Sequence, residues 1–125
     1  MVLKRLTNYS GVYVKSFPSD FSESVASNSV IHCNGALDVN KPYVIFDMAK
    51  FEAAMVRELK SEYPDRRKLE QKCIVVLAFV RNHPSSILDS PIYIMFINIV
   101  ALDLLKSKMN LGNDKYFTIS KKNEN

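Results

Sequence analysis

Apolar positions along this chain change period twice. From Pro42 onward they step at helical spacing: Met48, Phe51, Met55 and Leu59 recur every three or four residues, and Lys50, Glu52, Arg57, Glu58 and Lys60 fill the remaining positions. That pattern predicts an amphipathic helix. It starts either with Pro42 in a first turn after Asn40 or later at an Asp47 cap, and stops near Tyr63 and Pro64, because the residue before proline avoids the α region. A second helix is expected from about residue 65 to 82, with Leu69, Cys73, Val76 and Val80 as its stripe, widened by Leu77 and Ala78. His83 and Pro84 end it.

Residues 90–111 form the most apolar stretch. Ser90 and Pro91 make a helix start signal, Lys106 and Lys108 suit a last turn, and Gly112 suits a left-handed cap. Ile and Val are dense between Ile92 and Val100, so a buried strand is a competing reading. The uncharged run ends at Asp103 after thirteen residues, short of the ~20 that a membrane span requires. Length and both end signals favour a long helix that is apolar all round, and hence buried.

The first forty-one residues have a different texture. Gly11 to Phe17 is rich in β-branched and aromatic residues and predicts a short strand. Residues 19–29 are serine-rich and expected to be irregular. Asn34 and Gly35, between two short apolar arms at 30–33 and 36–39, suit a type I′ hairpin turn. Near the other end, Tyr116, Phe117, Thr118 and Ile119 read as a short strand, followed by a polar tail.

The expected fold is therefore mainly α within an α+β class: a three-helix core with a long buried C-terminal helix and a small N-terminal β hairpin or strand element. It is one domain, with an irregular and β region at 1–41, a helical core at 42–112, and a short strand or frayed tail at 113–125. A length of 125 residues fits this, since domains run to about 100–200 residues.

Composition narrows function mainly by what it lacks. A net charge of +4, from 17 basic and 13 acidic side chains, is a mild excess that does not by itself mark a nucleic-acid binder. Two cysteines, Cys33 and Cys73, are too few for a disulfide framework, and Cys73 lies in an apolar run as a small buried hydrophobe would. With no secretory signal and no membrane span, an intracellular location, cytoplasmic or nuclear, is expected.

No catalytic motif emerges. His32 and Cys33 are adjacent, and neighbouring side chains on a strand point to opposite faces, so they make no dyad there. Cys33, Cys73, His32 and His83 lack the paired spacings of zinc modules. Gly11, Gly35 and Gly112 are isolated, so no phosphate loop is present. No catalytic, cofactor-binding or metal-binding residue is assigned, and no small-molecule substrate or cofactor is expected.

Two constellations are left. Arg66, Arg67, Lys68 and Lys72 cluster at one helix start and could contact nucleic acid or an acidic partner. Five methionines with 7 Phe and 6 Tyr supply many adaptable and anchor-type side chains, and Tyr9, Tyr13, Tyr116 and Phe117 are candidate partner contacts. The expected function is a non-enzymatic interaction or assembly subunit, oligomeric or part of a larger complex such as a virus-encoded assembly. The alternative is a small basic nucleic-acid-associated regulatory or packaging factor.

Overall fold

The computed structural model describes residues 1–15, 23–81 and 92–109. Its strands are β1 (Val2–Lys4), β2 (Ser10–Lys15), β3 (Pro42–Val44), β4 (Ile74–Arg81) and β5 (Ile92–Ile97). Its helices are α1 (Asn28–His32), α2 (Met48–Leu59), α3 (Arg66–Lys72) and α4 (residues 99–109). Two antiparallel sheets result: β1 with β3, and a three-stranded sheet in the order β2-β4-β5. The molecule is thus α+β with substantial sheet, which corrects the expectation of a mainly helical fold with one small hairpin.

The largest correction concerns the apolar run at 90–111. Instead of one buried helix, Ile92–Ile97 is strand β5, antiparallel to β4 from Ile74↔Ile97 to Phe79↔Ile92. Six successive residues drawn from Ile, Tyr, Met and Phe suit a pleated surface, and Asn98 then divides strand from helix. Its backbone N–H donates to the Cys73 carbonyl at 2.8 Å, while its side-chain oxygen accepts from the Ala101 N–H at 3.1 Å. Asn98 therefore closes the ladder and caps α4. Among the described residues of this run, only α4 contributes fully buried side chains, Ala101 and Leu105.

The second predicted helix is also shorter. Asp65 caps α3 by accepting from the Lys68 N–H, and α3 stops at Lys72. From Ile74 the chain is the central strand β4, on which Val75, Val76, Leu77 and Ala78 are buried in succession. Burial on both faces erases the alternation that marks a strand, so the run reads equally as a buried helix.

Elsewhere the sequence pattern is closer to the result. Asp47 caps α2, accepting from the Ala49 N–H at 3.0 Å, and Phe51 and Met55 of the predicted stripe are buried. Pro42 instead begins strand β3. The expected strand after Gly11 is β2. Asn34 and Gly35 both take positive φ, 53° and 84°, as predicted from turn chemistry. They end α1 rather than join two hairpin arms. The chain then runs back along β2, where the Val14 N–H donates to the Gly35 carbonyl and the Leu37 N–H to the Val12 carbonyl. The expected strand at Tyr116–Ile119 lies outside the described residues.

One buried cluster unites these elements. Val12, Val14, Val75 and Leu77 share the inner sheet face and meet Val30 of α1, Phe51 and Met55 of α2, Leu69 of α3, and Ala101 and Leu105 of α4. Phe46 and Phe51 pack with ring centroids 5.8 Å apart. Tyr43 is buried with its hydroxyl satisfied by Asp38, accepting from the backbone N–H and donating to the carboxylate. Among the described residues no buried side-chain nitrogen or oxygen lacks a partner.

Candidate functional site

Strand β5 lies at the edge of the three-stranded sheet, and every one of its six side chains is exposed. Together with Ile99 and Val100 in the first turn of α4, these large apolar side chains are 41–70% exposed. A strand normally hides one face; here, among the described residues, neither is covered. The inner cluster reaches β2 and β4 and extends beneath α4, while β5 projects past it. On the outer face, register places Ala78 between Tyr13 and Tyr93, and Val76 between Lys15 and Met95.

Backbone polarity sharpens the picture. In an antiparallel ladder, residues alternate between bonding the partner strand and pointing away from it. Because the Asn98 N–H points to β4, Ile92, Ile94 and Phe96 direct their backbone groups inward in this register. Tyr93, Met95 and Ile97 direct theirs outward, with no strand beside them among the described residues. Soluble proteins usually blunt such edges with Lys, Pro, bulges or a covering element; β5 contains no charge and no proline.

The predicted basic patch comes together but is largely paired. Arg66 binds Glu70 at 2.8 Å, Lys68 lies 3.5 Å from Glu23 and 3.8 Å from Glu58, and Lys72 lies 3.9 Å from Glu23. Arg67 is exposed, without an ion pair among the described residues. Lys72 is buried, its ammonium donating to the Glu23 carbonyl at 2.6 Å. Burial pushes its pKa below the ordinary lysine value, against the pull of Glu23. Lys72 thus ties the segment at 23 to α3 and does not face solvent as a phosphate-tracking lysine would.

Of the predicted partner contacts, Tyr9 is exposed and Tyr13 stands partly exposed on the outer face of β2; Tyr116 and Phe117 lie outside the described residues. Cys33 is half-buried and its thiol donates to the Val30 carbonyl. Cys73 is fully buried, and desolvation, with Glu70 adding to it, pushes its thiol up to about 11. Such a thiol is a poor nucleophile at neutral pH. Among the described residues no three His, Cys, Asp or Glu side chains gather as a metal ion would need, and no helix is long and apolar enough to cross a membrane. His83 lies outside the described residues.

The β5 surface was missed because strong apolarity reads as burial. The available signal was a six-residue run with five β-branched or aromatic members, stopped by a helix-capping asparagine. Compared with protein-family models and with curated proteins, the chain matches none, so its reading rests on its own residues.

Proposed function

We propose that this chain is a non-enzymatic interaction or assembly subunit that associates with protein through the β5 edge. The observation that carries this reading is the uncharged strand Ile92–Ile97, exposed on both faces and open along its outer edge among the described residues. Contiguous exposed apolar surface marks association sites, and an open strand edge offers main-chain hydrogen bonds to an added strand. Strand β5 with Ile99 and Val100 presents eight large apolar side chains at 41–70% exposure. The basic patch gives weaker support to a nucleic-acid role, since three of its four cations face carboxylates within 4 Å.

The test compares wild type with Met95→Lys, which puts a charge on the strand without touching the buried cluster. Wild type should run above its 14.3 kDa, either purified or in extract of its native source. Met95→Lys should run at the mass of one chain in both settings with its melting temperature retained. A wild-type chain that runs alone in both settings contradicts the reading.

A further inference from the structure

We propose that the occupant of the β5 edge is a second copy of this chain, paired antiparallel about a two-fold axis at Met95, so that two three-stranded sheets join into one of six strands. The inference rests on the association reading above and adds the partner and the register. An identical partner is favoured by charge: a two-fold sets each strand against its own sequence, where like charges would repel, and β5 carries none. It is also favoured by self-complementarity, because the three outward-directed residues lie symmetrically about Met95 and a copy turned about that residue offers matching groups to each.

The register follows from backbone polarity. Only Tyr93, Met95 and Ile97 direct N–H and C=O groups outward, given the Asn98 to Cys73 bond and the pairing with β4. Placing Met95 opposite its own copy sets Tyr93 opposite Ile97 on both sides, so all three outward residues of each strand are bonded. Any slip by two residues leaves outward groups of both copies without a strand partner. Isologous pairing of this kind closes on itself and stops at two copies.

Purified chain is examined by light scattering across concentration, alongside two cysteine variants in a Cys33→Ser background, with Cys73 buried. Wild type should reach twice 14.3 kDa as concentration rises, without larger species. Met95→Cys should form a cross-linked dimer under mild oxidation, because directly opposed residues of a bonded pair lie ~5.5 Å apart between Cα atoms, within disulfide reach. Ile97→Cys should not, because in this register it lies four residues from its own copy, about 14 Å along the strand. A purified chain that stays monomeric overturns the second copy; if it still gains mass in native extract, the association reading stands with a different partner. A dimer in which Ile97→Cys cross-links and Met95→Cys does not overturns the register and the two-fold at Met95.

Discussion

Cys73 stands at the joint of α3 and β4, where its backbone carbonyl receives the Asn98 N–H and its side chain is wholly enclosed. Its thiol is raised from 9.0 to about 11, chiefly by desolvation. A group whose folded pKa lies above its unfolded value stabilises the fold fully below the unfolded pKa. That contribution is lost as pH rises through the folded one. Cys73 therefore costs about 2–3 kcal/mol of stability between pH 9 and 11. The adjacent Lys72 works in the opposite sense: its lowered pKa means that the folded state sheds its proton first, so stability is recovered as pH rises toward the ordinary lysine value. Denaturant unfolding of wild type and Cys73→Ala across this range separates the two. The variant should lack the alkaline loss; equal slopes would remove Cys73 as its source. A second expectation at this scale concerns Gly35, whose φ of 84° costs an L-residue roughly 1–2 kcal/mol. Gly35→Ala should lower stability by about that much in the same measurement.

At the scale of elements, burial predicts opposite outcomes for two large apolar side chains. Phe51 is fully enclosed between Phe46 and the rest of the cluster, so Phe51→Ala should cost about 3–5 kcal/mol of unfolding free energy. Met95 is 61% exposed, and Met95→Lys should change monomer stability by less than about 0.5 kcal/mol. A loss near that of Phe51→Ala would mean that β5 belongs to the core. The same contrast explains how far the elements were legible. Helix α2 was readable because one face is wet and the other dry, which writes a period into its sequence. Strand β4 has both faces buried and β5 has both exposed while remaining apolar, so neither alternates. Each then resembles a continuous hydrophobic run, and length favours a helix. Asn34 and Gly35 encoded their positive φ values, but not whether an arm before them was helix or strand. The basic patch was legible as a cluster; its neutralisation was not, because Glu23 is 49 residues from Lys72 in sequence. The candidate interface was legible as an apolar run and misassigned as to whether it is buried.

For the whole molecule, the net charge of +4 predicts weak, non-specific attraction to polyanions that disappears with salt. Binding to generic duplex DNA should fade between low salt and about 0.15 M, with Arg67→Ala weakening it more than Arg66→Ala, since Arg66 is paired. Sequence-selective binding that survives physiological salt would restore the nucleic-acid reading. On the proposed pairing, β5 is an open edge in the single chain and a joined one in the assembly. Amide hydrogen exchange, resolved by residue and followed with concentration, distinguishes the two states. In dilute, monomeric chain, Ile94 and Phe96 should be protected by their bonds to β4 while Tyr93, Met95 and Ile97 exchange rapidly, and those three should gain protection as chains associate. Protection of Tyr93, Met95 and Ile97 at a dilution where the mass is that of one chain would overturn the open edge, because the edge would then be covered within the monomer.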